Sequence, residues 1–163
     1  MMRVVLKISF LILVLFTSCN NKTENREDSP LQSKNELFPK GDLANSANFS
    51  GNAWVTMLIT EKEKFDLTMG NVLFEPGART NWHVHPGGQV LICTKGIGYF
   101  QEKGGNIQVL QVGDVVEILP DVEHWHGASP DSEFEHIAIS TQQNKGGVIW
   151  KQPVSDEEYK GKK

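Results

Sequence analysis

The chain has 163 residues, which suits one domain and leaves little room for two. Apolar residues make up 39% of it, enough for a real core, and the formal charge of −4 comes without any basic block. A phosphate-binding surface needs clustered positive charge, so nucleic acid is not expected as a partner.

Residues 1–18 read as a targeting segment. Arg3 and Lys7 give a positive start, and Ile8 to Phe16 is apolar except for Ser9. That run is too short to span a bilayer as a helix. It ends in Leu15-Phe16-Thr17-Ser18-Cys19, where small residues before a cysteine resemble a bacterial lipobox. The resemblance implies cleavage before Cys19 and lipidation of the new N-terminus. The expected place is then the bacterial cell envelope, attached to a membrane by lipid rather than spanning it. Residues 19–48 are polar and read as a flexible tether, with order beginning between Leu37 and Asn48 and the folded domain covering 49–160. The chain has two cysteines. With Cys19 used in processing, Cys93 is left without a partner, and its apolar surroundings make it a buried small hydrophobe.

From Ala53 onward the pattern is strand after strand. Expected strands are Trp54 to Thr60, Leu67 to Phe74, the stretch around His83, Gln89 to Thr94, Gly98 to Glu102, Ile107 to Val112, Val115 to Leu119, His124 to His126 and Glu135 to Thr141. Gly147 to Trp150 reads as an edge. Glu61 to Lys64 reads as a charged loop, and Lys103-Gly-Gly-Asn106 as a hairpin turn. Fifteen glycines and seven prolines fit this turn-rich plan. Roughly eight to ten short strands argue for a sandwich or closed barrel. Ser155-Asp-Glu-Glu158 reads as a capping box, which predicts a short C-terminal helix.

Two stretches carry chemistry. In Gly77 to Gly96, His83 and His85 stand two residues apart, so on a strand both side chains project to one face. Gln89 adds a neutral oxygen donor. In Gly113 to His126, His124 supplies a third imidazole from a distant strand. Three histidines and an amide are a donor set for a first-row divalent ion, and these ligand types do not choose among Mn, Fe, Co, Ni and Zn. His126, two residues beyond His124, faces the same cavity on a strand, and His136 joins it if its face is inward. Both are candidate acid–base groups, with a buried structural histidine as the alternative. Trp82 and Trp125 have the opposite parity and read as packing groups, and Trp54 reads as core, with a place at a cavity mouth as the alternative. Arg79 is a candidate for binding an anionic substrate, with a salt bridge to Glu75 or Asp114 as the alternative. Phe74, Leu91, Ile118 and Ile137 read as core.

The spacing Gly77, His83-x-His85, Gln89, Gly96 resembles the first motif of the cupin superfamily, with glutamine in place of the usual glutamate. Gly113 to His124 resembles the second motif, with Leu119 where a proline is common and Asp121 where a glycine is common. Phe74-Glu-Pro-Gly-Ala-Arg-Thr-Asn-Trp-His83, the glutamine and His124-Trp-His126-Gly-Ala look like the small bacterial cupins labelled carboxymuconolactone decarboxylase-like. These include manganese-dependent cupin hydroxynitrile lyases. The resemblance spans about residues 50–160. It implies an all-β fold, a small single-domain jelly-roll (double-stranded β-helix) barrel. It also implies a metal held by His83, His85, Gln89 and His124, with manganese favoured, and pocket roles for His126 and His136. The implied activity is metal-dependent lyase chemistry on a small molecule, hydroxynitrile lyase-like or decarboxylase-like. The alternatives are a cupin dioxygenase and a non-catalytic small-molecule binder. A homodimer is expected only by analogy with the fold.

Overall fold

The computed structural model describes residues 36–161. The expectations for residues 1–18, Cys19 and most of the tether fall outside that range. Among the described residues no helix is long and apolar enough to cross a membrane.

The described residues open with β1 (Asp42–Leu43), β2 (Phe49–Ser50) and β3 (Ala53–Ile59), pass through the short helix α1 (Lys62–Phe65), and continue in β4 (Leu67–Phe74). Three elements then follow in the histidine region: β5 (Arg79–Thr80), β6 (His83–Val84) and the long β7 (Gln89–Glu102). β8 (Gln108–Gln111), β9 (Val115–Ile118), β10 (His124–Ala128) and β11 (Phe134–Thr141) complete the main wall. A 3-10 turn (Gln143–Lys145), β12 (Ile149–Trp150) and helix α2 (Asp156–Tyr159) close the chain.

All strand pairs are antiparallel, and the strands curl into one wall in the order β1-β3-β4-β11-β7-β10-β5-β2. β9 and β8 add to β7, and β6 sits between β10 and β12. The expected all-β barrel is therefore the observed fold.

β7 joins the two halves. Its first part pairs with β11 and β9, and its last part with β10 and β8. The strand changes sheets at Gly96, whose φ of 71° belongs to the left-handed region, and a Cβ there would lie 1.9 Å from the Glu133 carbonyl oxygen. Only glycine fits both constraints.

Side-chain alternation fills the barrel. Val72 and Phe74 on β4, Leu91 and Cys93 on β7, Val116 and Ile118 on β9 and Phe134 on β11 point inward and pack as one cluster. A second cluster, Trp82, Trp125, Val154 and Tyr159, seals one end. Here the expected capping box is present. Ser155 Oγ accepts from the Glu158 amide, and the Glu158 carboxylate accepts from the Ser155 amide. The cap starts α2, and α2 delivers Tyr159, whose hydroxyl donates to the Ala128 carbonyl at 2.8 Å.

Several expectations need correction. The charged stretch at Glu61 to Lys64 enters α1 rather than a loop. The two strands expected between Gln89 and Glu102 are one. Ile137 is half-buried on the outer face of β11, since its neighbour His136 takes the inner one. Trp54 is likewise outside the core cluster, with the Lys40 ammonium 3.5 Å from its ring centre.

Candidate metal centre

β6 and β10 run side by side with His83 opposite His124. His85 follows two residues after His83, in the turn before β7, and Gln89 opens β7. One ring nitrogen from each of His83, His85 and His124 lies within 4.8 Å of the others, so these three histidines form a group that could hold a metal ion. The rings nest closely, His83 and His124 at 4.2 Å between centres and His83 and His85 at 5.2 Å.

The backbone prepares two of these rings. His83 Nδ1 donates to the Asn81 carbonyl at 2.9 Å, and His124 Nδ1 donates to the Val122 carbonyl at 2.9 Å. With the proton held on Nδ1, each Nε2 presents a lone pair. Burial keeps the rings neutral. Desolvation, then the neighbouring His124, pushes His83 well below its ordinary value and His85 down to about 4. Desolvation, against the Val122 carbonyl, brings His124 to about 4. Neutral imidazoles are the form that ligates.

Gln89 supplies the test of fit. Its Oε1 lies 3.1 Å from His124 Nε2. If His124 carries its proton on Nδ1, its Nε2 and the Gln89 oxygen present lone pairs side by side, as two ligands of one ion would. The donor set suits a divalent first-row ion of imidazole and oxygen preference, with no soft ligand in the group. Cys93 packs in the core cluster and is not part of the three-histidine group, and burial, followed by Asp114, pushes its thiol up to about 11.

His83, His85 and His126 line a cavity of about 380 Å³, and His124 does not. Apolar side chains from Phe49, Val55, Met57, Val72, Val148 and Trp150 form much of its wall, with His83, His85, Gln89 and His126 among its polar groups. No Asp, Glu, Lys or Arg lines it among the described residues. Sequence reasoning missed this wall. Trp150 in particular packs 5.0 Å from the His83 ring because β12 pairs with β6, a non-local pairing of two-residue strands that leaves almost no pattern in the sequence.

His126 lines the cavity, as strand parity predicts, and its backbone amide donates to Thr80 Oγ1 at 3.2 Å. His136 is fully buried and does not line the cavity. Its Nε2 lies 3.0 Å from His126 Nδ1. Burial first, then neighbouring histidines, lowers His126 well below its ordinary value. Burial brings His136 to about 3, opposed by the backbone carbonyls of Ile137 and His136 itself. Arg79 is a correction. It donates to the Val154 carbonyl at 3.0 Å and pairs with Asp156 at 2.8 Å, with its guanidinium over the Tyr159 ring, and takes no part in the cavity wall. Neither Glu75 nor Asp114 is its partner. Trp82 and Trp125 pack in the second cluster, as their parity predicts.

Comparison with known proteins agrees with this architecture. Residues 70–140 match the Cupin domain family. An (R)-mandelonitrile lyase of Granulicella tundricola is 40% identical over 112 residues, covering 69% of this chain and 86% of that protein. The crystal structure of a cupin-like protein from Thermotoga maritima superposes with a TM-score of 0.75 at 52% identity, over 77% of this chain and 95% of that one. A DMSP lyase from Ruegeria pomeroyi shares the fold, with a TM-score of 0.55 at 19% identity over 67% of this chain and 54% of that one.

Proposed function

The chain belongs to the cupin family, and from that premise we propose that it is a metal-dependent lyase acting on a small uncharged molecule that carries a hydroxyl group beside an apolar body, of which mandelonitrile is the working example. The observation that carries the reading is the pairing of a donor cluster that could hold a metal ion with an apolar cavity that holds no charged side chain. A carboxylate substrate would find no Lys or Arg there, which favours hydroxynitrile over decarboxylase-like chemistry. The 40% identity to a mandelonitrile lyase supports the same choice.

His83, His85, His124 and Gln89 would hold the ion, with manganese the first candidate and Fe, Co, Ni or Zn the others. A divalent ion held there supplies Lewis-acid polarisation of the substrate hydroxyl. The apolar wall takes the aromatic or aliphatic body and excludes water. His126 takes the hydroxyl proton at its cavity-facing nitrogen. As the carbon–oxygen double bond forms, the bond to cyanide breaks and cyanide leaves with the electron pair. The proton then passes to cyanide, so that hydrogen cyanide and an aldehyde are the products.

The test uses the purified full chain. Bound metals are measured, then mandelonitrile cleavage and oxygen uptake are followed for the native protein and for His124→Ala. Cleavage that is metal-dependent and lost in the variant supports the reading. Equal behaviour of the two proteins removes its basis, oxygen uptake with an enol substrate and no cleavage favours an oxygenase, and failure to take up any divalent ion sinks the metal site.

Lipid attachment at Cys19 in the bacterial envelope is a further part of this proposal, supported by the Leu15-Phe16-Thr17-Ser18-Cys19 stretch. Labelled fatty acid incorporated into the native chain and not into Cys19→Ala is the expected result. Equal labelling would count against it.

A further inference from the structure

Mandelonitrile leaves much of the cavity unused. A volume of about 380 Å³ has room for about a dozen water molecules at roughly 30 Å³ each, and mandelonitrile displaces about half of them. The strand register shows where the remainder lies. On the inner face of the wall, Ala138 of β11 stands opposite Gly70 of β4, and Gly70 stands opposite Met57 of β3. All three line the cavity, and since Gly70 has no side chain and Ala138 only a methyl group, the row is a trough. It leads away from β7, which carries Gln89, to the edge at β3, three strand spacings or about 14 Å across the sheet.

The far end of the trough is apolar and open. Met57 is 49% exposed, on the part of β3 that lies beyond its pairing with β1. Val148 also lines the cavity and is 36% exposed. Trp150, two residues on, packs against Phe49 and His83 with ring centres at 5.6 and 5.0 Å, so the apolar wall runs unbroken from the histidines to the rim. Apolar side chains that stand in water and also line a cavity gain from an apolar ligand that covers them.

We propose that Met57, Val148 and the trough over Ala138 and Gly70 form an outer subsite for the far end of an elongated substrate. Its hydroxyl lies at the metal centre, and its body, an aryl or alkyl chain several carbons longer than that of mandelonitrile, reaches the rim. This deepens the lyase reading by naming the size and shape of the substrate, and it rests on that reading only for the place of the hydroxyl. A charged tail finds no counter-ion, because no Asp, Glu, Lys or Arg lines the cavity among the described residues. Gly70 sets the width of the passage. A Cβ there would lie 3.3 Å from Met57 Sδ, so a side chain larger than a methyl group would fill the trough and crowd the rim.

The test follows binding before turnover. The full chain, isotope-labelled at its methionine methyl groups, is titrated with benzyl alcohol and with phenylbutanol, with and without Zn(II), a diamagnetic ion. Met57→Leu assigns the Met57 resonance. Met69 is the internal control, because Thr68 and Gly70 on either side of it line the cavity and its own side chain points to the other face. The expected result is a Met57 methyl shift with phenylbutanol and little with benzyl alcohol. Phenylbutanol should also bind about tenfold or more tighter, at about three- to fourfold per buried methylene. Gly70→Val and Met57→Gln are each expected to shrink that affinity ratio by about threefold or more. No binding of either alcohol, equal affinities, a Met57 resonance moved as far by benzyl alcohol, or a ratio that survives both variants overturns the subsite. A kinetic arm compares the cyanohydrins of phenylacetaldehyde and phenylpentanal, and kcat/KM is expected to favour the longer by about tenfold or more. If the native protein cleaves no cyanohydrin while phenylbutanol binds tighter and moves Met57, the lyase reading fails and the outer subsite stands. If it cleaves mandelonitrile and prefers the longer body in neither arm, the lyase reading stands and the outer subsite falls.

Discussion

The side-chain oxygen of Gln89 lies 3.1 Å from Nε2 of His124, two acceptors facing each other once Val122 holds the His124 proton on Nδ1. Removing the oxygen removes a donor, so Gln89→Ala is expected to weaken divalent metal binding by at least about tenfold. Gln89→Glu should do the opposite. Its carboxylate binds the ion more tightly but cancels one unit of charge and lowers its Lewis acidity. Metal competition titrations should therefore rank Glu above Gln above Ala, while cleavage rates put Gln first. A Glu variant that is both tighter and faster would contradict the charge argument.

Arg79 packs where its removal costs stability and spares the chemistry. Its side chain is only 11% exposed, bonded to the Val154 carbonyl and Asp156 and stacked on Tyr159. Arg79→Ala is expected to cost about 1–3 kcal/mol, through the orphaned carbonyl and lost packing more than the exposed ion pair. Denaturant unfolding reads that loss, and KM for mandelonitrile should stay within twofold, roughly the scatter of such a measurement. A KM rise without a stability loss would return Arg79 to substrate binding.

The same residue shows where reading the sequence stops. Arg79 has Glu75 near it in the chain, yet its partner is Asp156, which only the docking of α2 brings close. The metal-ligand candidates were legible because the spacing His83-x-His85 survives even though β6 covers only His83 and Val84. The position of His126 was legible from strand parity. Parity says which face a residue takes, though not its depth, and so it did not show His136 lying behind His126 instead of beside the cavity. His136 and Ile137 are neighbours on β11 and take opposite faces, of which only the one with His136 is fully buried there. The cavity wall was illegible because Phe49, Val55, Val72 and Trp150 come from four separate strands.

Burial of His136 should appear in the acid stability of the metal-free protein. Its folded value of about 3 lies below the ordinary 6.5 because burial penalises the charged ring. The unfolded chain therefore binds more protons between those values, and stability rises with pH across that window. It is fully present above about pH 6.5 and is lost as pH falls towards 3, a contribution on the order of a few kcal/mol. Urea unfolding in the presence of a chelator at pH 7, 6 and 5 should show the decline. His136→Leu should flatten part of it, and an unchanged slope in the variant would place the acid sensitivity elsewhere.

The cavity gives the last test. Ala138 lies on β11, two residues from both His136 and Ser140, and its small side chain lines the cavity without touching the metal ligands' hydrogen bonds. Ala138→Leu adds branched bulk inside the wall. Apolar pockets discriminate single methylene groups by about 1–3 kcal/mol, so kcat/KM for mandelonitrile is expected to fall about tenfold or more. Acetone cyanohydrin, which keeps the hydroxyl and nitrile but lacks the phenyl ring, should be affected less, and metal content should not change. The ratio of the two substrates separates a steric effect from damage to the centre. An equal fall for both, with metal retained, would place the substrate body away from Ala138. A fall that tracks lost metal would instead mean that the added bulk displaces the ligands.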